Sequence, residues 1–259
     1  WMSENGFFRY AGKLESLPCL VEDFVYDDIN LESGNQMVSA GLNNLFGEVI
    51  WFYPGSTSSV VNKQVTYNYF DSSPQRPVWT VGTLARTMWQ DSAVFSKPHA
   101  LEYDASTDTS FDVIGNTEGR TSYYEHETGT DQNRNGTITA ITSNITSGDF
   151  DITQRIVGNQ QTGIADTRGD GEYLMKIRRF VPDFISQTGD TQVILQLRDF
   201  PNDSQSGSPL GPFNITSSTK KIDTRARARA IALKISNTTT NQSWKLGTFR
   251  LDIQPDGRR

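Results

Sequence analysis

The chain has 259 residues, enough for one large all-β domain or two ordinary ones, each able to bury a core. Its mean hydropathy is -0.52, and no apolar run approaches the ~20 residues of a membrane-spanning helix, so no membrane insertion by this chain is expected. A net charge of -6 argues against broad affinity for nucleic acid, which rests on Lys and Arg neutralising phosphates.

Trp1 stands where an initiator Met would, and "WMSENGFFRYAGKLESLP" already reads as two strands with their turn. That pattern predicts a chain that begins inside a larger protein. Cys19, in "LESLPCLV", is the single cysteine, which excludes an intrachain disulfide and reads as a small buried hydrophobe. The segment "CLVEDFVYDDIN" supplies the one predicted helical turn. Short runs rich in Val, Ile, Tyr, Phe and Trp predict strands over Phe7 to Tyr10, Met37 to Gly41, Glu48 to Tyr53, Gln64 to Phe70 and Val78 to Leu84. Between them "NLFG", "PGSTSS" and the segment from Asp71 to Pro77 carry turn chemistry. Hairpins of alternating aromatic and polar residues, such as Tyr67 and Tyr69 followed by Val78, Trp79 and Val81, are the meanders from which propeller blades are made. Residues 1–128 are therefore expected to form the terminal blades of a β-propeller.

Beyond Gly129 the composition shifts toward Thr, Asn, Gly and Asp. "GTITAITSNITSGDFDIT" is a threonine-rich strand region, and "EYLMKIRRFVPDF", "TQVILQLRDFP", "TRARARAIALKIS" and "WKLGTFRLDIQ" predict four further strands. Residues 129–259 are expected to form a β-rich, sandwich-like carboxy-terminal domain. The expected fold class is all-β, propeller blades followed by a sandwich.

Several stretches resemble functional motifs. In "DQNRNG", Asp131, Asn133, Asn135 and Gly136 match the first half of a calcium-binding loop, but position twelve, where a bidentate Glu is needed, is Thr142. The same Asn-Gly pair is a hairpin-turn signal, and the turn is the preferred reading. "DTRGDGE" contains Arg-Gly-Asp and reads as a polar loop. Six N-x-S/T sequons, at Asn135, Asn144, Asn202, Asn214, Asn237 and Asn241, lack signal-peptide features and follow from loops rich in Asn, Ser and Thr. His99 and His126, the only histidines, sit in no zinc-ligand spacing and beside no nucleophile turn. No catalytic, metal or cofactor-binding residue is assigned.

More distinctive is "DTRARARAIALKIS". At period two, Arg225, Arg227 and Arg229 share a strand face that continues as Ile231, Leu233 and Ile235. One reading is an arginine ladder for carboxylates or phosphates of a partner; the other is a strand whose first half leaves the core. The acidity of the chain favours protein carboxylates, so these three residues are the candidate subunit interface.

Taken in order, "WMSENGFFRYAGKLESLPC", "VEDFVYDDIN", "EVIWFYPG", the stretch from Val65 to Ser92 that opens "VTYNYF" and closes "PVWTVGTLARTMWQDS", "YYEHETGTD", "RRFVPDF", "LRDFP" and "SWKLGTFRLDIQPDGRR" resemble the carboxy-terminal part of a family of tailed-phage virion proteins. These are the tail hub or tail nozzle proteins of short-tailed phages, also described as tail tubular or DNA-stabilisation proteins. The resemblance covers nearly the whole chain. It implies a propeller-containing subunit of the virion tail, assembled as a ring, a homo-oligomer and expectedly a hexamer, below the portal and its adaptor. The implied partners are portal adaptor or head-tail connector proteins, tail fibre or tip proteins, and genomic DNA transiently in the lumen; no cofactor and no catalysis are implied. An acidic lumen suits a conduit, since attraction for phosphates would hold DNA in place. Trp1, Trp51, Trp79 and Trp89 are assigned to blade packing rather than glycan stacking. Two other classes stay open: a propeller that recognises host surface glycan by aromatic stacking, and a propeller-type glycoside hydrolase, which needs two carboxyl groups ~5 to 9.5 Å apart in a cleft.

Overall fold

The computed structural model describes residues 1–30, 32, 37–92, 95–104, 120–134, 136–152, 155–158, 165–168, 173–200, 202–204 and 209–257. The fold is all-β: these residues hold twenty-three strands and the seven-residue helix Glu22–Asp28. None of the sheets closes on itself. The chain divides into two compact units, Trp1–Thr128 and Gly129–Arg259.

In the first unit β1 (Met2–Ser3), β2 (Gly6–Tyr10) and β3 (Leu14–Leu17) form a three-stranded antiparallel sheet. The helix α1 (Glu22–Asp28) follows. It has no side-chain cap, but Glu22 and Asp23 in its first turn favour the positive end of the helix dipole, and the fully buried Val25 anchors it. Next come β4 (Ser39–Asn43), β5 (Glu48–Tyr53), β6 (Lys63–Ser73) and β7 (Arg76–Gly82), an antiparallel meander in sequence order. "NLFG" is its first turn, where Gly47 adopts φ +69. The β6–β7 turn tightens onto Pro74 and Gln75, because Ser73 pairs with Arg76: β6 runs on past Phe70, and β7 begins and ends two residues earlier than predicted. A third sheet comprises β8 (Met88–Gln90), β9 (His99–Asp104) and β10 (Arg120–Glu125).

Strand β5 is central because its sequence is apolar on both faces. Trp51 and Tyr53 enter a core with Phe7, Leu17, Val25 and Val65, while Ile50 and Phe52 join Val61, Leu84 and Trp89 on the opposite face. The first core is aromatic: Trp79 lies 4.7 Å from Phe7, 4.8 Å from Tyr67 and 5.9 Å from Trp51 between ring centroids. Offset and edge contacts of this kind contribute about 0.5–1.5 kcal/mol each beyond the area buried.

The second unit begins with the hairpin β11 (Asp131–Arg134) and β12 (Thr137–Ala140), then β13 (Ser143–Thr146). A two-stranded ribbon, β14 (Arg155–Gly158) and β15 (Ala165–Arg168), precedes β16 (Met175–Val181), β17 (Phe184–Thr188), β18 (Thr191–Arg198) and β19 (Pro209–Ile215). The last strands are β20 (Ile222–Ala228), β21 (Ala230–Asn237), β22 (Ser243–Leu246) and β23 (Arg250–Pro255). One sheet has the order β13-β21-β18-β19 and another β20-β16-β23, with β17-β22 as a separate ribbon. Met175, Ile177, Phe180, Ala226 and Ala228 of the second sheet share one core with Val193, Leu195, Ile215, Ile231, Leu233 and Ile235 of the first.

Two irregularities set which side chains leave that core. In β16 the pairing shifts between Ile177 and Arg179, so Ile177 and Phe180 both point inward although three positions apart. Against β23 the extra residue falls in β16, since Ile177 pairs with Ile253 and Arg179 with Asp252, and two consecutive arginines, Arg178 and Arg179, lie outside the core. The second irregularity alters an expectation. "TRARARAIALKIS" is not one strand but two, β20 and β21, in different sheets, with Arg229 at the corner. Arg225 and Arg227 are exposed on β20, whereas Ile231, Leu233 and Ile235 are buried, so the same odd-numbered parity serves opposite faces. A guanidinium is costly to bury without a partner, and a bend at the corner turns the arginines outward before the apolar residues enter.

Candidate functional site

Three places concentrate chemistry. The first is built from residues of "LARTMWQDS" and "YYEHETG", which meet around Arg86. This arginine is only 5% exposed. Its Nε donates to His126 Nε2 at 2.9 Å, and its Nη1 donates to Glu102 Oε2 at 3.2 Å and to the Ala85 carbonyl at 2.6 Å. The guanidinium carbon sits 4.1 Å above the Tyr124 ring centroid. Trp89 packs 4.6 Å from the His126 ring and donates its indole N–H to the Leu42 carbonyl at 2.7 Å. Gly41 of β4 permits that approach, because a Cβ there would fall 2.5 Å from the Trp89 ring.

His126 accepts from Arg86 and therefore carries its proton on Nδ1 when neutral. Burial, and then the charge of Arg86, push its pKa down to about 4. The neutral imidazole has its basic nitrogen occupied. The cluster thus ties β8–β10 to β4 by polar contacts and presents no free base to a nucleophile. His99 is separate: its Nδ1 hydrogen-bonds the Tyr123 hydroxyl and its ring packs 4.2 Å from Phe95.

The second place is a groove of about 680 Å³ in the first unit, walled by Trp1, Phe8, Tyr10, Tyr67, Tyr69 and Pro74. Trp1 is 52% exposed and stacks on Phe8 at 5.8 Å. Arg9 pairs with Glu15 at 2.7 Å on the rim, and Arg9 with Lys13 lowers the Glu15 pKa. Of the four tryptophans assigned to packing, Trp51, Trp79 and Trp89 lie in or against the two cores of this unit, while Trp1 lines the open groove.

The third is the outer face of the β20-β16-β23 sheet, a depression of about 310 Å³ formed by Lys176, Arg178, Arg179, Asp223, Arg225 and Asp252. Arg179 pairs with Asp223 at 2.8 Å, and Lys221 reaches the same carboxylate at 3.0 Å. These two cations hold the Asp223 carboxyl below its usual range. Arg227 pairs with Asp256. Among the described residues no carboxylate pairs with Lys176, Arg178 or Arg225. The candidate ladder is therefore divided: Arg225 faces the depression, Arg227 is held by Asp256, and Arg229 stands at the corner, its backbone N–H donating to the Arg198 carbonyl at 3.1 Å. Periodicity did not reveal Lys176, Arg178 and Asp252, whose grouping depends on strand pairing and the bulge.

"DQNRNG" is a hairpin. Asp131 pairs with Ala140 and Arg134 with Thr137 across the turn, and Gly136 adopts φ +86 and donates to Asn133 Oδ1 at 2.9 Å. Both oxygens of Asp131 accept the Asn241 N–H, at 2.8 and 3.0 Å. The Arg-Gly-Asp tripeptide lies outside the described residues, apart from the backbone of Arg168. Burial raises the Cys19 thiol pKa to about 11, which disfavours the reactive thiolate. Among the described residues no group of three or more His, Cys, Asp or Glu could hold a metal, and no helix is long and apolar enough to cross a membrane.

Comparison with models of protein families finds no match to this chain. Comparison with curated proteins finds none either.

Proposed function

We propose that this chain is a structural protein of a tailed-phage virion, part of the tail hub or nozzle that forms the DNA exit conduit below the portal. The observation that carries the reading is where the ordered motifs fall. "TMWQDS" and "YYEHETG" close around Arg86, "EVIWFYPG" is the central strand β5, and "RRFVPDF" and "FRLDIQ" are paired strands of the second core. The resemblance thus lies in residues that build the scaffold, as a structural family requires. The β4–β7 meander is read as a propeller blade and the two-sheet core of the second unit as a sandwich.

Charge distribution adds support. The first unit holds 17 acidic and 7 basic residues, a net of -10, and the second 13 and 17, a net of +4. A strongly acidic unit repels phosphates and lets DNA slide past, while a basic one is available for contacts with protein. Neither role needs a cofactor. Electron microscopy of the virion with this chain labelled tests the proposal: label in an axial ring below the portal is expected, and label on peripheral fibres would overturn it.

A second reading, recognition of host glycan, is favoured by the aromatic groove, whose exposed Trp1, Tyr10 and Tyr69 are suited to stacking on sugar faces. Quenching of tryptophan emission by host surface polysaccharide, lost in Tyr69→Ala, would favour it over the conduit.

A further inference from the structure

We infer that the outer face of the β20-β16-β23 sheet is a docking surface for the acidic outer face of α1 in a second copy of this chain. The inference rests on the reading of the chain as a self-assembling subunit and names the two surfaces that meet.

The receiving face carries Lys176, Arg178 and Arg225 without carboxylate partners among the described residues, around a depression also lined by Arg179, Asp223 and Asp252. Lys176 lies directly opposite Arg227 across the strand pair. Like charges so placed repel one another; Asp256 offsets the charge of Arg227, and an anionic occupant would do the same for Lys176. Bare phosphate chains fit poorly, because Asp223, Asp252 and Asp256 are interleaved with the cations and would repel them. A protein surface with spaced carboxylates can avoid those positions.

Such a surface exists on α1. Asp23, Phe24 and Asp27 are exposed on one side of the helix, Phe24 at 56%, while Val25 is buried on the other and Asp28 is held inward by Lys63 at 2.7 Å. Four residues of helix advance about 6 Å, and two residues of strand advance about 6.6 Å. Lys176 and Arg178, two positions apart on the outer face of β16, are thus separated by about the same distance as Asp23 and Asp27, with the bulge after Ile177 altering the regular rise. Ala226 pairs with Ile177 and Asp223 with Arg179, so Arg225 and Thr224 of the neighbouring strand together face Arg178 across the bulge. Phe24, about 100° round the helix from Asp23, flanks the two carboxylates and then meets a guanidinium face, a pairing in which cation and ring attract. The opposite net charges of the two units, -10 and +4, steer the same encounter.

Sedimentation velocity on the full chain over a concentration series tests this. The wild type is expected to associate, and R178E/R225E and D23K/D27K are each expected to weaken association about thirtyfold or more. The four substitutions together exchange the two signs and are expected to restore most of the affinity. All lie on exposed side chains, and melting curves matching the wild type establish that each variant folds. Association unchanged by either reversal, or no better in the combined variant, overturns the inference. So does a wild type that stays monomeric throughout, and a face that instead retains duplex DNA, losing it in R178E/R225E, belongs to nucleic acid. Rings that form normally from reversed variants would remove this contact and leave the conduit reading standing. Copies that dock as described but are labelled on fibres would do the converse.

Discussion

Arg86 offers the sharpest test of how the first unit is held together. Arg86→Ala removes a buried guanidinium that donates to His126 and Glu102 and covers Tyr124. The Glu102 carboxylate, whose side chain is only 16% exposed, is left without its cation. Breaking a buried pair from one side costs about 3–5 kcal/mol, and the residual exposure of Glu102 places the expected loss near the lower figure. For a unit of this size each kcal/mol moves the melting temperature by about 4 °C, so a fall of about 10–15 °C follows. Tryptophan emission is the appropriate signal, because Trp1, Trp51, Trp79 and Trp89 lie in the first unit and only Trp244 in the second. Arg86→Lys should recover less than half of the loss, since one ammonium cannot reproduce the fork and the stacked plane. A melt of Arg86→Ala within about 2 °C of the wild type would refute the reasoning and reduce the cluster to a solvated pair.

The depressed pKa of His126 makes a pH prediction. The unfolded imidazole binds a proton near pH 6.5 and the folded one only near 4, so the first unit loses stability as pH falls through that interval. The loss should be about 1–2 kcal/mol, once screening of the half-buried ring is allowed for. Denaturant titrations between pH 7.5 and 4 on the wild type and on His126→Gln measure it, and an identical slope in the variant would assign the effect to other groups. Gly41→Ala places a Cβ 2.5 Å from the Trp89 ring, which should cost about 1–3 kcal/mol through overpacking and shift Trp89 emission. Unaltered emission and stability would show that the sheets do not approach so closely.

Much of the first unit was legible because its side chains alternate against turns of definite chemistry. Glu48 to Tyr53 is a strand with the predicted bounds, "NLFG" is a turn, and "VEDFVYDD" holds the helix. The Asn-Gly turn after Arg134 was equally plain. What sequence could not supply was three-dimensional parity. Arg225 and Ile231 share a period, and only the corner at Arg229 places them on opposite faces. The bulge at Arg178 leaves no mark in composition, so the grouping of Lys176, Arg178 and Arg225 emerged only with the pairing. Arg86 meets residues 16 and 40 positions away, a distance over which no local pattern speaks. Whether sheets become blades of a closed ring or remain open likewise depends on contacts beyond any one strand.

The corner at Arg229 also has a mechanical meaning. One residue separates β20 from β21, so the two sheets over the shared core are joined by nearly the shortest covalent link a chain allows. A load that tries to slide one sheet across the other is carried by stretched backbone as well as by side-chain friction. Resistance to such a load is set by how fast the fold opens rather than by how stable it is at rest. Under a load applied suddenly, that kinetic toughness counts for more than added depth of the energy well.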